Sequence, residues 1–213
     1  MTPAQVFHFD SVDSTNDVAK RLIADGQIHG RAYIVAREQT AGRGQRGRPW
    51  LSPRDAGIYL STVDFPAAMT TPVTRFFTLA AGIACVEALR HVAGVDARLK
   101  RFNDLYSAGG KLGGILTEAV LEGDCIRAVV TGVGINVRRA PRLLPPGTAQ
   151  PVSLQEVVPP AQFWCFDNAR MILDLANRVF AWNTVVASGD VERVQEEWER
   201  YRLRDAQAAD LVI

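Results

Sequence analysis

The segment 42–48, Gly-Arg-Gly-Gln-Arg-Gly-Arg, combines three glycines with three arginines and could hold an anion. Glycine lets backbone N–H groups approach an anion closely and adopt positive φ angles. Arginine offers a planar fork of donors that matches phosphate or carboxylate. The pattern predicts a small-anion site, although a solvated basic loop and an RNA contact stay open on composition alone. It is not a P-loop, because no Gly-Lys-Ser/Thr closes it.

Lys111 begins an apolar strand pattern and is followed by Gly113 and Gly114. Glycine weakens a strand interior, so two of them indicate the close approach of a ligand or of another backbone. A lysine at that point could neutralise charge where a carboxylate and a phosphate react. The plainer alternative is a lysine at a hairpin edge, with glycines that serve packing.

Three further polar stretches could contact a ligand. The segment 14–16 (Ser-Thr-Asn) precedes a helical pattern, and it either binds small polar groups or caps the helix. The segment 103–104 (Asn-Asp) lies in a predicted loop, where it orients a ligand or forms an ordinary Asx turn. The segment 132–136 ends a strand with asparagine after two glycines, and it faces a ligand or simply ends the strand.

Helical and strand patterns alternate along the chain, which predicts an α+β fold (an α/β mixed sheet). Strands are predicted at 31–37, 57–63, 98–100, 112–121 and 125–137. Helices are predicted from residue 14 to Gly26 and over 73–92, 160–187 and 191–204. The segment 101–110 is a predicted polar loop, and 138–151 is Pro-rich and irregular. No Gly-x-Gly-x-x-Gly joins a strand to a helix, so no Rossmann dinucleotide site is predicted.

The composition excludes several classes of protein. The chain has 213 residues, 47% of them hydrophobic, and 24 Lys+Arg against 23 Asp+Glu give a net charge of +1. Such a chain forms about one domain and is neither dominantly disordered nor a globally basic nucleic-acid binder. No run of about 18 apolar residues predicts a membrane span. Three widely spaced cysteines and the absence of an N-terminal signal pattern indicate a cytoplasmic protein with reduced thiols.

Lysine is rare in this chain, with three residues against 21 arginines. A GC-rich coding bias explains the overall skew, so each lysine that remains is a candidate for a specific role. Lys100 and Lys111 lie close to the polar stretches, whereas Lys20 is predicted to face solvent. The three histidines are scattered and lack metal-ligand spacing, so no zinc site is predicted.

In combination, these stretches resemble the catalytic domain of biotin protein ligases, within the biotin/lipoate protein ligase superfamily. The resemblance runs from about Phe9 to the end of the chain. It rests on the order and spacing of the segments 13–16, 38–50 (Glu-Gln-Thr-Ala-Gly-Arg-Gly-Gln-Arg-Gly-Arg-Pro-Trp), 100–106 (Lys-Arg-Phe-Asn-Asp-Leu-Tyr), 111–118 (Lys-Leu-Gly-Gly-Ile-Leu-Thr-Glu) and 134–136. It implies the fold of class II aminoacyl-tRNA synthetases and biotin synthetases, a mixed β-sheet flanked by helices.

The resemblance implies an ATP-dependent biotin--[biotin carboxyl-carrier protein] ligase that works in two steps. The carboxylate of biotin attacks the α-phosphate of ATP to give biotinyl-5′-AMP and pyrophosphate, and a lysine of an acceptor protein then takes the biotin. The implied acceptor is the biotin carboxyl carrier protein of acetyl-CoA carboxylase. Mg²⁺ is expected to offset the charge of the triphosphate, with its ligands unassigned.

By the same resemblance, Lys111 and Arg43 are the catalytic pair beside the carboxylate and the α-phosphate. Two cations are needed there because two anions otherwise repel each other as they approach. The residues implied in biotin binding are Ser14, Thr15, Asn16, Gln39, Gly42, Arg43, Gly44, Gln45, Lys111 and Gly114. Those implied in ATP binding are Arg46, Arg48, Trp50, Asn103, Asp104 and Asn136.

Two segments depart from the pattern of the family. Gln45 stands where an arginine is usual, and the loss of that charge is expected to speed the release of the adenylate. Arg101 and Phe102 replace a Trp-Pro pair, which predicts a looser loop. Two alternatives therefore stay open: a biotin-binding or biotinyl-AMP-binding protein that is non-catalytic or impaired in adenylation, and a ligase of a related acid such as lipoate.

The resemblance also implies a domain organisation. Residues 1–205 form the catalytic domain, and 206–213 are interpreted as the first strand of a small C-terminal barrel that the chain lacks. No N-terminal DNA-binding domain is expected before the ligase motifs, so DNA is not an expected partner. A membrane is not an expected partner either, because the sequence has no run of about 18 apolar residues. Relatives often form dimers, so a homodimer is a further expectation.

Overall fold

A computed structural model describes residues 3–66, 69–70, 73–100, 102–138 and 150–204. The strands are β1 (Gln5–Phe9), β2 (Ala32–Ala36), β3 (Gly57–Asp64), β4 (Met69–Thr70), β5 (Arg98–Lys100), β6 (Asp104–Ser107), β7 (Gly110–Glu122) and β8 (Cys125–Asn136). The helices are α1 (Thr15–Ala24), α2 (Thr74–Ala93), α3 (Leu154–Val157), α4 (Pro160–Phe163), α5 (Asn168–Ala187) and α6 (Val191–Tyr201).

In this described part of the chain, seven strands form one sheet in the order β1-β2-β3-β8-β7-β6-β5, and the short β4 pairs with β8. β1 and β2 run parallel, whereas every other neighbouring pair is antiparallel. The mixed sheet flanked by helices confirms the predicted fold class.

One face of the sheet is covered by α2, α5 and α6, which pack into the larger hydrophobic core. α2 is apolar nearly all round, as expected of a helix that lies between the sheet and a second helix layer. Its length and composition would suffice to cross a membrane, but most of it is buried inside the protein. It is therefore a core helix.

The opposite face carries α1, whose apolar side packs into a smaller core with Ile34 of β2 and Val63 of β3. The N-terminal end of α1 meets the sheet where Ser61 lies on β3. Because this single helix covers only part of the face, the rest of that face is available for a ligand.

β7 and β8 form a long hairpin whose turn contains Gly123, with a positive φ of 61°. The register sets Gly114 opposite Gly134, and Leu116 opposite Gly132. Two glycines without side chains, facing each other across neighbouring strands, leave a bare patch on the sheet surface. A bulky side chain or a ligand can therefore lie directly on the backbone there.

The structure differs from the predicted elements in several places. The strands β1 and β6 were not predicted, and β6 lies inside the segment predicted as a polar loop. The helix predicted over 160–187 is interrupted between α4 and α5, because the Asp167 carboxylate accepts hydrogen bonds from the backbone amides of Ala169 and Arg170 and so begins a new helix.

The interpretation of 206–213 as a barrel strand falls outside the described residues, as does Arg101. Just before that end, the backbone N–H of Leu203 donates to the carbonyl of Leu99 on β5 at 2.8 Å. The chain after α6 thus returns to the edge strand of the sheet.

Candidate active site

A cavity of about 510 Å³ lies between the start of α1, the segment 39–51, and the paired strands β6, β7 and β8. It gathers every residue that the sequence singled out for biotin or ATP except Gly42. These are Ser14, Thr15, Asn16, Gln39, Arg43, Gly44, Gln45, Arg46, Arg48, Trp50, Asn103, Asp104, Lys111, Gly114 and Asn136. Segments far apart in the chain therefore converge on one cavity.

One end of the cavity is a buried hydrogen-bond network of neutral side chains. The Thr15 backbone amide and hydroxyl donate to Gln39 Oε1 at 2.9 and 3.1 Å, and the Gln39 amide donates to Ser52 at 2.8 Å. The Ser61 hydroxyl donates to Asn16 Oδ1 at 2.6 Å and lies 2.8 Å from Thr15 Oγ1. Such a rigid set of neutral donors and acceptors suits an uncharged polar group.

Ser14 occupies the N-cap position of α1, but its side chain makes no capping hydrogen bond. Its backbone amide is bound instead by the carboxylate of Asp13 at 2.7 Å. Helix capping therefore does not account for the Ser14 hydroxyl. Ser14 lines the cavity, and only 4% of its surface is exposed.

The first cation of the site, Arg43, is paired with a carboxylate of α1. Both terminal nitrogens of Arg43 donate to Asp17, one of them at 2.7 Å. These hydrogen bonds hold the pKa of Asp17 well below its usual range, so its carboxylate stays ionised at neutral pH. Because the pKa is depressed, this stabilisation is present above the ordinary pKa of 3.8 and is lost as the pH falls below it.

Lys20 was predicted to face solvent, and that prediction was wrong. Its Nζ lies 2.9 Å from Asp17 and 3.0 Å from Glu118, and one third of its side chain is exposed. Glu118 in turn accepts from the Asn16 side chain at 2.7 Å. Lys20 thus belongs to a charged network that reaches the cavity lining.

The second cation, Lys111, lies on β7 and is also paired. Its Nζ donates to Asp104 Oδ1 at 2.7 Å and lies 5.5 Å from the centroid of the Trp50 ring. A Cβ placed on Gly114 would lie 3.8 Å from the same Nζ and 3.4 Å from the Trp50 ring. Lysine, tryptophan and bare backbone therefore meet at one point of the cavity.

The Trp50 indole lies on the glycine patch of the sheet. A Cβ on Gly134 would approach Trp50 Nε1 to 2.4 Å, so only glycine fits under the ring. The same Nε1 is buried without a hydrogen-bond partner among the described residues. On the same strand, a Cβ on Gly132 would approach Asn16 Oδ1 to 2.5 Å.

The arginine–glycine segment forms a tight turn at the cavity rim. Gln45–Gly47 is a short 3₁₀ turn in which Arg46 and Gly47 have positive φ angles of 59° and 70°. Gly42 does not line the cavity. A Cβ there would lie 2.5 Å from the carbonyl oxygen of Trp50, so this glycine lets the two ends of the segment close on each other.

Arg46 and Arg48 differ from Arg43 in their surroundings. Both are exposed, and within the described ranges neither forms an ion pair with a carboxylate. Their donors are therefore open to an anionic ligand entering the cavity. The described residues hold no cluster of three His, Cys, Asp or Glu side chains that could bind a metal ion by themselves.

The two asparagines implied in ATP binding have different environments. The Asn136 amide donates to the carbonyl of Val152 at 3.0 Å and so ties β8 to the segment that follows Pro151. Asn103 lies at the rim, and its amide is 3.3 Å from Asp104.

Residues 8–136 match the sequence model of the biotin/lipoate A/B protein ligase family. The chain belongs to this family. It is 35% identical over 195 residues to the biotin--[acetyl-CoA-carboxylase] ligase of Paracoccus denitrificans, covering 87% of this chain and 76% of that protein. It is 36% identical over 143 residues to the bifunctional ligase/repressor BirA of Bacillus subtilis, but spans only 42% of that protein.

Solved structures of ligases of this family share the fold. The biotin protein ligase from Aquifex aeolicus in complex with biotin and ATP superposes with a TM-score of 0.74 at 26% identity, over 93% of this chain and 78% of that one. The enzyme from Leishmania major in complex with biotinyl-5-AMP gives a TM-score of 0.74 at 25% identity, over 96% of this chain and 83% of that one. Together these matches confirm the resemblance inferred from the motifs.

Several cavity residues were not assigned to either substrate from the sequence. They are Pro49, Leu51, Phe102, Ile115, Leu116, Gly132, Val133, Gly134 and Pro151. Gly132 and Gly134 lay in a segment flagged as able to face a ligand. The apolar residues carry no local signal, because strand side chains that line a ligand site read like those that line a core.

Proposed function

We propose that the chain is an ATP-dependent biotin--[acetyl-CoA-carboxylase] ligase, EC 6.3.4.15. The observation that carries the proposal is the convergence of Arg43 and Lys111 on one cavity, which neutral polar side chains and two exposed arginines also line. A substrate with a polar uncharged head, an apolar chain and a carboxylate fits this set of groups. The named relatives support biotin as that substrate.

In this proposal the ureido group of biotin binds the network of Thr15, Asn16 and Gln39. The carboxylate then lies between Arg43 and Lys111. Arg46 and Arg48 bind the phosphates of ATP, and Trp50 packs near the adenine. The remaining residues assigned to each substrate line the same cavity, except Gly42, which shapes the loop.

The chemistry follows from charge and position. A carboxylate oxygen of biotin forms a bond to the α-phosphorus as the bond to the β-phosphate oxygen breaks, which releases pyrophosphate. Arg43 and Lys111 offset the repulsion between the two anions and hold them in line. Mg²⁺ would be carried in by the triphosphate and would neutralise part of its charge.

The second step transfers biotin to a lysine of the biotin carboxyl carrier protein of acetyl-CoA carboxylase. The lysine amine attacks the carbonyl of the mixed anhydride, loses a proton, and AMP leaves. We place this reaction in the cytoplasm.

A direct test is mass detection of biotinyl-AMP after incubation with biotin and MgATP, followed by addition of a purified carrier domain. The proposal expects the adenylate first and a carrier heavier by one biotinyl group afterwards. Lipoate added as a competitor should leave both products unchanged. Products that form from lipoate and not from biotin would assign the chain to the related acid instead.

A biotin-binding protein impaired in adenylation is the second candidate. It is favoured by the ion pairs that occupy both Arg43 and Lys111, and by Phe102, which is 66% exposed where the family has a rigid turn. Pyrophosphate release separates the two functions. Binding of biotin without release of pyrophosphate would support the second candidate and contradict the first.

A further inference from the structure

Asp17, Lys20, Arg43 and Glu118 form a connected group that we name the α1 charge cluster. Asp17 accepts from both terminal nitrogens of Arg43 and lies 2.9 Å from Lys20 Nζ. Lys20 Nζ also lies 3.0 Å from Glu118 Oε1, and an Arg43 nitrogen lies 3.7 Å from Glu118 Oε2. Each of the two cations therefore lies within 3.7 Å of both anions, and the four charges balance.

The cluster is connected to the cavity on two sides. Arg43 lines the cavity itself, and Asn16, which also lines it, donates to Glu118 at 2.7 Å. The four side chains are between 23% and 35% exposed, so they are neither freely solvated nor fully desolvated. Ion pairs in this range are weak enough to be exchanged and strong enough to bias an equilibrium.

We propose that Asp17 is the counter-ion that Arg43 exchanges for the carboxylate of the acid substrate, and that Lys20 retains Asp17 after the exchange. The inference rests on the proposed function, because that function sets a substrate carboxylate beside Arg43. Asp17 is thus a positioning residue: it holds the guanidinium at the cavity wall while the acid site is empty.

The positions of Lys20 and Glu118 explain why the exchange does not leave an unpaired charge in the cluster. When Arg43 turns to the substrate, Lys20 already contacts both remaining carboxylates and keeps them neutralised in part. The substrate carboxylate must nevertheless compete with Asp17 for the same donors. Asp17 therefore weakens binding of the charged acid, and Lys20 counteracts Asp17.

Two variants test the exchange because they are expected to act in opposite directions. Asp17→Asn leaves the cluster with a charge excess of plus one, and we expect the dissociation constant of biotin to fall by about 3- to 10-fold. Lys20→Met leaves Arg43 facing two carboxylates, and we expect that constant to rise by a similar factor of about 3 to 10. Both are measured by calorimetry on the full chain without ATP.

Biotinol, the neutral alcohol analogue of biotin, supplies the readout that a structural defect would not reproduce. Its dissociation constant should stay unchanged in both variants, because it brings no carboxylate to exchange. Asp25→Asn is the matched control, since it removes one negative charge from the exposed C-terminal end of the same helix. It should leave the binding of both ligands unchanged.

Equal shifts for biotin and biotinol, weaker biotin binding in Asp17→Asn, or no shift in either variant would each overturn the exchange. A wild-type chain that binds neither biotin nor biotinol would instead contradict the proposed function. The two failures are distinguishable because the first is read from the variants and the second from the unmodified chain.

Discussion

At the scale of single residues, the two cations assigned to the reacting centre share one arrangement. Arg43 pairs with Asp17 of α1, and Lys111 pairs with Asp104 of β6. In each case the carboxylate fixes the position of a flexible side chain before any substrate arrives. For Lys111 this preorganised charge needs no rearrangement as the reaction charge develops, whereas Arg43 must first exchange Asp17 for the substrate carboxylate.

Lys111→Met should remove adenylation while leaving the polar end of the cavity intact. We expect pyrophosphate release to fall by about 100-fold or more, the scale seen when one charge-stabilising donor is lost. Lys100→Met is the matched control, because Lys100 lies over the Tyr106 ring and outside the cavity lining. A Lys111→Met enzyme that turns over at the wild-type rate would refute the assigned role.

Gln45→Arg should slow release of the adenylate. Gln45 lies on the exposed rim beside Arg46, where an added guanidinium could reach a bound phosphate. A charged hydrogen bond contributes about 1–3 kcal/mol, which corresponds to an off-rate slower by about 5- to 150-fold. Stopped-flow release of preformed biotinyl-AMP measures the rate, and equal rates in the two proteins would reject the prediction.

At the scale of elements, β8 presents two glycines to the cavity from one face. Residues two apart on a strand point to the same side of the sheet, so Gly132 and Gly134 both face the cavity. Gly132→Ala places a methyl group against Asn16, and Gly134→Ala places one against the Trp50 ring. We expect the first change to weaken biotin binding and the second to raise the KM for ATP.

Titration with biotin and steady-state kinetics at varied ATP separate the two effects. Gly30→Ala is the control, because a Cβ there meets nothing within 4 Å. If both variants weakened the binding of the same substrate to the same extent, Gly132 and Gly134 would not lie beside different substrates as we infer.

The elements predicted from sequence were those with strong local patterns. β2, β3, α2 and the β7–β8 hairpin follow from continuous apolar runs and from the turn at Gly123. β1 was missed because its pairing with β2 is parallel and its partner lies beyond a helix, so no hairpin signal marks it. β6 was missed because it has four residues and begins with an aspartate.

The parts of the site that lie within one sequence motif were predictable. The contacts between segments far apart in the chain were not. The arginine–glycine segment and Lys111 are recognisable from neighbouring residues. The role of Glu118 is not, because its partners Asn16 and Lys20 lie 102 and 98 positions away. Lys20 was wrongly predicted to face solvent for the same reason. A single lysine in the sequence does not reveal that the fold brings Glu118 next to it.

At the scale of the whole molecule, the sheet lies between the larger hydrophobic core and the ligand cavity. The larger core lies on the α2 face, whereas the cavity opens on the face that carries α1 and the smaller core. A defect in the larger core should lower the free energy of unfolding without moving the substrate contacts. A defect under α1 should do both, because that helix begins with the residues assigned to biotin.

Leu175→Ala and Ile23→Ala test this separation with two fully buried side chains, one in each core. Each deletion should lower the free energy of unfolding by about 2–5 kcal/mol, through lost burial and the cavity left behind. Only Ile23→Ala should also raise the dissociation constant of biotin, since α1 can then shift against β3. Urea titration gives the stabilities, and calorimetry at low temperature gives biotin affinity for the folded fraction. If Leu175→Ala weakened biotin binding as much as Ile23→Ala does, the two faces would be coupled through the sheet, and the cavity would depend on the rigidity of the whole molecule rather than on the seating of one helix.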